Sequence, residues 1–257
     1  TAGKVTIPMA EPAASIDPAE IQRFSAMAED WWNPSGKFRP LHQLNPVRLG
    51  YLRDRLARHF GRDPQTLRLF EGLSVLDIGC GGGLIAEPMA RLGGAVTGID
   101  AAVRNVNIAG LHAAQSGLAI DYRNVAAEDL ADSGAQFDIV LALEIVEHVA
   151  DLDVFLGATA RLVKPGGALV VSTINRTPQA WLLAIVGAEY VLGWLPKGTH
   201  TWDKFVRPSE LAAGLRHGGL MVRDMAGVGY RPLSDEWALT RDLSVNYMAF
   251  ATHVARG

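Results

Sequence analysis

The sequence predicts an α/β domain built on a mostly parallel, doubly wound sheet, and three observations carry that reading. Short apolar runs near 75–78, 95–99, 120–125, 137–143 and 168–172 alternate with longer stretches of helical spacing. The first run, Val75-Leu76-Asp77-Ile78, breaks into Gly79-Cys80-Gly81-Gly82-Gly83 and then into Leu84, Ile85, Ala86, Met89, Ala90 and Leu92 at roughly helical intervals. Strand, tight glycine turn and helix form the opening unit of a nucleotide-binding fold. The second run ends in Asp100, twenty-one residues after Gly79, where a carboxylate can accept hydrogen bonds from both hydroxyls of a ribose.

Taken in order, residues 1–16 are rich in Ala and Pro, lack a basic-then-apolar leader pattern and read as a disordered tail. Residues 17–257 read as a single domain. Asp17-Pro18-Ala19-Glu20 is a helix start: an N-cap, a proline in the first turn and an acid three residues after the cap. This helix carries Ile21, Phe24, Met27 and Ala28 on one face, reaches Trp31-Trp32 and stops at Asn33-Pro34-Ser35-Gly36. Asn45-Pro46 begins a second helix, with Leu49, Leu52, Leu56 and Phe60 apolar and Gly61 as its stop. Residues 17–70 are thus an N-terminal helical extension. The adjacent tryptophans suit core packing, or a lid over an apolar substrate.

Beyond Asp100, a helix is expected over about 103–116, closed by Gly117. The third strand leads into Ala126-Ala127-Glu128-Asp129-Leu130. The fourth strand is followed by a helix over 152–163, the turn Lys164-Pro165-Gly166-Gly167 and the fifth strand. Strands alternating with helices imply right-handed crossovers. The end differs: 221–230 and 245–254 read as strands joined by a loop without a helix, an antiparallel hairpin that brings the sheet to seven strands. Between them and the fifth strand lies an apolar insertion, 176–208. Its centre, Trp181 to Leu195, is interrupted by Glu189 and two glycines and falls short of the ~20 apolar residues that span a bilayer. A buried helix and an interfacial element touching membrane or a lipid-like substrate both fit it.

Composition narrows the function classes. Of the 257 residues, 49% are hydrophobic, enough for a sizeable core. A net charge of −3 offers no bulk attraction to nucleic acid, which disfavours an RNA-modifying role. The one cysteine, Cys80, allows no disulfide within the chain and points to a reducing compartment. In the glycine turn it reads as a tolerated small residue.

A dinucleotide fingerprint needs G-x-G-x-x-G, and the third glycine is absent: Leu84 or Ala86 stands there. The form D-x-G-x-G-G-G, with Asp100 beyond, resembles the S-adenosylmethionine (SAM) site of Rossmann-like class I methyltransferases. Asp77, Gly79, Gly81 and Asp100 are therefore candidate cofactor contacts, and Ala127 and Glu128 are placed to meet adenine. Glu128 is equally plausible as an exposed turn acid. Glu144, Glu147 and His148 follow the fourth strand at spacings that share one face if a helix starts there. Two carboxylates and an imidazole can hold a divalent cation, or His148 can act as general base. The alternative is a solvated helix start with acids near the positive end of the dipole. The chemistry supplies a motive: a phenol of pKa roughly 10 is about one part in a thousand ionised at neutral pH.

Together with Trp31-Trp32, Phe38-Arg39-Pro40-Leu41-His42, residues 45–51, Val186-Gly187-Ala188-Glu189-Tyr190, residues 196–200, Lys204-Phe205 and Asn246-Tyr247-Met248, these motifs closely resemble the ubiquinone-biosynthesis O-methyltransferases over about residues 24–248. The resemblance implies SAM-dependent methylation of a 2-polyprenyl-6-hydroxyphenol and of 3-demethylubiquinol. It implies SAM contacts at Arg48, Gly79, Asp100 and Leu143, and a divalent metal at Glu144, Glu147 and His148, where the hard oxygen ligands suggest Mg²⁺ and the histidine leaves room for Mn²⁺ or Zn²⁺. It also implies a cytoplasmic protein peripherally associated with the inner membrane and with other enzymes of the pathway. Family members carry Met where this chain has Leu143 and Asp where it has Ser244. The competing functions are C-methylation of a quinone ring and a non-catalytic SAM-binding regulator.

Overall fold

The computed structural model describes residues 15–182, 202–231 and 236–254. Among the described residues, eight strands form one sheet: β1 (Ser74–Ile78), β2 (Ala95–Ile99), β3 (Asp121–Arg123), β4 (Phe137–Leu143), β5 (Val163–Ile174), β6 (Leu220–Arg231), β7 (Glu236–Thr240) and β8 (Asn246–His253). Their order is β3-β2-β1-β4-β5-β8-β6-β7. Strands β1 to β5 pair in parallel, and β8 pairs antiparallel with both β5 and β6.

The strands alternate as a sheet covered on both faces demands. Leu76, Ile78, Val140, Ala142, Leu169 and Val171 join one core with helices α5 (Ala127–Asp132), α6 (Leu152–Arg161) and α8 (Pro208–His217). Val75, Val96, Ile139, Leu141, Ala168 and Val170 face the other core with α2 (Arg39–His59) and α3 (Ala86–Arg91). Helix α4 (Val103–Gln115) follows β2, and α7 (Pro178–Ala180) is a single turn after β5.

Helix α1 (Pro18–Met27) starts where expected, with Asp17 Oδ1 accepting from Ala19 N–H at 3.0 Å. A 3₁₀ turn, Ala28–Asp30, then carries the chain to Trp31. Packed chain begins earlier than the sequence suggests: Ser15 is buried and its carbonyl accepts from Ala150 N–H at 2.8 Å.

Four details depart from expectation. The C-terminal end is not a simple edge hairpin. A short strand, β7, forms within the expected loop, raising the count from seven to eight, and β8 inserts between β5 and β6. The only apolar run of β7, Trp237-Ala238-Leu239, is short and partly exposed and does not announce a strand. Helix α2 begins at Arg39, not Asn45, and runs through Pro46. The missing donor costs one backbone hydrogen bond, while burial of Leu44, Tyr51, Leu52 and Leu56 holds the helix. The Lys164–Gly167 turn interrupts β5 as a register shift, since Phe137 pairs with Val163 but Ile139 with Ala168. No helix starts at Glu144, which has φ 52 and only a 3₁₀ turn, Val146–His148, after it. Of the apolar stretch 181–195, only Trp181 and Leu182 fall within the described residues. No helix among those residues is long and apolar enough to cross a membrane.

Candidate active site

The order of the parallel strands reverses between β1 and β4, and ligands of open α/β sheets bind outside the carboxyl ends at such a point. A cavity of about 220 Å³ opens there. Arg48, Asp77, Gly79, Asp100, Ala127, Glu128, Leu143, Glu144, Glu147 and His148 all line it. Gly81, the remaining residue singled out from the sequence, does not line it.

The glycine turn packs tightly against the protein's own side chains. Gly79 has φ 69, and a Cβ there would meet Ile145 at 2.8 Å. Gly81 has φ 53, and its Cβ would lie 2.4 Å from the Trp31 ring. Protein side chains press on both glycines, and Gly79 alone also borders the cavity. The Gly81 backbone N–H donates to Asp100 Oδ2 at 2.9 Å. Trp31 is therefore a wall of the site as well as core, stacked on Phe38 at 3.7 Å. Trp32 points away, donating to Gly82 O and stacking on His112.

One side of the cavity holds charge without partners. Both carboxylate oxygens of Glu128 and Oδ2 of Asp77 are buried with no hydrogen-bond partner among the described residues. Burial, and then the nearby Asp100 charge, pushes the Asp77 carboxyl up to about 7, with Arg48 opposing. Burial also raises Asp100, against the amides of Ala102 and Gly81 and the Asn105 side chain. Arg48 sits at the rim of this group. Its Nη2 lies 3.0 Å from Glu144 Oε1, an ion contact, while its Nε has no hydrogen-bond partner among the described residues. Unpartnered buried acids beside a cationic fork suit a zwitterionic, nucleoside-like ligand such as SAM.

The acid–acid–histidine cluster is split between two walls. Glu144 faces β5 and β8, accepting from Ser172 Oγ at 2.8 Å and lying 3.4 Å from Asn246 Nδ2. Burial pushes its carboxyl up, but the Arg48 charge and these donors outweigh it and hold the group below its ordinary range. Glu147 accepts from Thr173 Oγ1 at 2.8 Å, and its Oε1 is buried without a partner. Burial, then the adjacent Glu144 charge, raises Glu147 well above its ordinary value. The arginine charge thus favours ionised Glu144, while Glu147 holds its proton more tightly than a free carboxyl does. His148 turns to the opposite wall, where its Nδ1 lies 3.0 Å from Glu20 Oε2 on α1. Burial opposes ionisation of Glu20, but His148, Arg23 and Lys204 together keep its carboxyl below the ordinary value. Among the described residues no three His, Cys, Asp or Glu side chains converge on a common metal position. As placed, Glu144, Glu147 and His148 do not form a cation cage.

Sequence reasoning missed Glu20, Asn105 and the apolar wall of Ile21, Phe24, Met27, Phe38 and Leu41 as site residues. Glu20 reads locally as a helix-start acid, and its partner lies 128 positions away. Ser244 lies in the loop before β8, bonded to Asp242 at 2.9 Å and outside the cavity.

Comparison with known proteins gives a consistent picture. A family model described as a methyltransferase domain matches residues 41–224. The ubiquinone biosynthesis O-methyltransferase of Paramagnetospirillum magneticum is 61% identical over 92% of this chain and 94% of its own length. That of Mesorhizobium japonicum is 57% identical over 95% and 98%. Among solved structures, a SAM-dependent methyltransferase from Clostridium acetobutylicum shares the fold with TM-score 0.58 at 10% identity, over 91% of this chain and 99% of its own. Magnesium protoporphyrin IX methyltransferase from Synechocystis PCC 6803, with bound SAH, gives 0.56 at 20% identity, over 81% and 85%.

Proposed function

The chain belongs to the ubiquinone biosynthesis O-methyltransferases, and from that premise we propose that its cavity methylates a ring hydroxyl of a polyprenylated phenol. The substrates are a 2-polyprenyl-6-hydroxyphenol and 3-demethylubiquinol. The observation that carries the reading is the division of one cavity into a side lined by Arg48, Asp100 and the partly unpartnered acids Asp77 and Glu128, and an apolar side with a histidine between α1 and β4.

Bound SAM supplies an electrophilic methyl on sulfur; the phenolate oxygen takes it, and S-adenosylhomocysteine leaves. The chain's own residues bind, orient and move one proton. Arg48 meets the ligand's carboxylate through its guanidinium, Asp77 its amino group, Asp100 its ribose and Glu128 its adenine. Leu143 and Ala127 give apolar contact. Phe24, Met27, Phe38 and Leu41 cover the aromatic ring of the substrate and exclude water. His148 takes the phenol proton, with Glu20 holding its Nδ1.

A second reading has a divalent cation at Glu144, Glu147 and His148 lower the phenol's pKa. The unpartnered Oε1 of Glu147 supports it. It requires Arg48 to leave Glu144, so no step is assigned to it. Exposed Trp181 and Leu182 support peripheral contact with the inner membrane and entry of the prenyl tail from there.

The test is turnover of prenylated catechols with labelled SAM, with and without chelator, alongside His148→Ala. Activity that survives EDTA but collapses in the variant supports the base. Activity lost to EDTA with SAM binding intact selects the cation. A carbon-methylated product, or binding without turnover, refutes O-methylation.

A further inference from the structure

We propose that Asn105, locked in orientation by Trp31, is the positioning residue for the Asp100 carboxylate, so that the N-terminal extension is part of the cofactor site. The proposal rests on the reading of Asp100 as the ribose acceptor.

Asn105 is 1% exposed and lines the cavity at the base of α4. Its Oδ1 accepts from Trp31 Nε1–H at 3.0 Å, and its Nδ2 donates to Asp100 Oδ1 at 3.2 Å. An indole N–H can only donate, and a carboxylate can only accept. The amide between them therefore has one orientation: oxygen to Trp31, nitrogen to Asp100. Without the indole donor, the amide loses the partner that holds its oxygen away from the carboxylate. Trp31 is itself fixed, since it stacks on Phe38 and fills the space over Gly81 and Gly82.

Asp100 is then held from three directions. Ala102 N–H and Asn105 both donate to Oδ1, and Gly81 N–H donates to Oδ2. A carboxylate offers about four acceptor positions, so the remaining one lies on Oδ2. The chain from Trp31 through Asn105 sets the rotation of the carboxylate and hence the direction of that open position. A ribose hydroxyl meets a preorganised acceptor, with no reorientation at the moment of binding.

Calorimetry on the full chain tests this with two probes, S-adenosylhomocysteine and its 2′,3′-dideoxy analogue. Asn105→Leu is expected to weaken the first about tenfold and the second by less than about twofold. Trp31→Phe keeps the aromatic cover, removes the donor and is expected to show the same selectivity at smaller size. The double variant should be no weaker than Asn105→Leu. Trp31→Phe alone decides the matter where Asn105→Leu does not fold. Equal losses for both probes at an unchanged melting temperature, or no loss for either, overturn the proposal. Wild-type protein that binds both probes equally overturns the reading of Asp100 itself.

Discussion

Replacing Arg48 with Met removes the positive member of a buried pair and leaves its partner stranded. Arg48 is 4% exposed, the Glu144 side chain 16%, and the two lie 3.0 Å apart. Losing one partner of such a pair costs about 3–5 kcal/mol, because the other charge stays desolvated. With a urea slope of about 3 kcal/mol per molar for a chain of this size, the midpoint should fall by about 1–2 M. The pH dependence identifies the cause. Glu144 is held below its ordinary value in the folded protein, so the pair contributes stability above the unfolded value, and that is lost as pH falls through the folded value. In the variant, burial pushes Glu144 up with no arginine to oppose it, and protonation relieves the strain. The difference between the two proteins should therefore be largest at pH 7 and shrink toward pH 4. Adding Glu144→Gln should recover most of the stability without recovering SAM affinity. Urea titrations at pH 4, 5.5 and 7 are the assay. A difference that does not change with pH, or a double variant no more stable than Arg48→Met, would refute the reasoning.

Asp100→Ala should weaken SAM binding about ten- to a hundredfold through the lost ribose hydrogen bond to the one open acceptor position, measured by calorimetry on folded protein; an unchanged dissociation constant sinks the assignment. Asp77 is raised to about 7, so its carboxylate is fully available to a cationic amino group only above that pH. SAM affinity should rise between pH 6 and 8 and become flat in Asp77→Asn; a wild-type profile already flat counts against the contact. Leu182→Ser should slow turnover of a long-tailed substrate more than that of a tail-less catechol. Equal effects on both, with a lowered melting temperature, assign the residue to folding instead.

The local grammar of the chain determined the central fold. Apolar runs of strand length, glycines after Ile78 and acids at the ends of β1 and β2 are each encoded within a few residues, and they place the cavity at the edge of β1 and β4. Part of the cavity lining was legible for the same reason: the strand ends and the first glycine of the turn after β1, where the chain must take a left-handed conformation, border the cavity. The acid–acid–histidine cluster was legible as a group but not as a geometry. Spacing suggested a shared helical face, whereas the left-handed Glu144 sends the acids toward β5 and β8 and His148 toward α1.

Only the tertiary structure decided partners. Arg48 with Glu144, Glu20 with His148 and Trp31 with Asn105 join positions about a hundred residues apart, on elements that meet because two cores cover the sheet. No local propensity distinguishes a glutamate that starts a helix from one that holds an imidazole. The physical reason is that a buried polar group takes whichever partner the packing brings within hydrogen-bond reach, and its cost if unpaired is set by burial, which one-dimensional spacing does not contain.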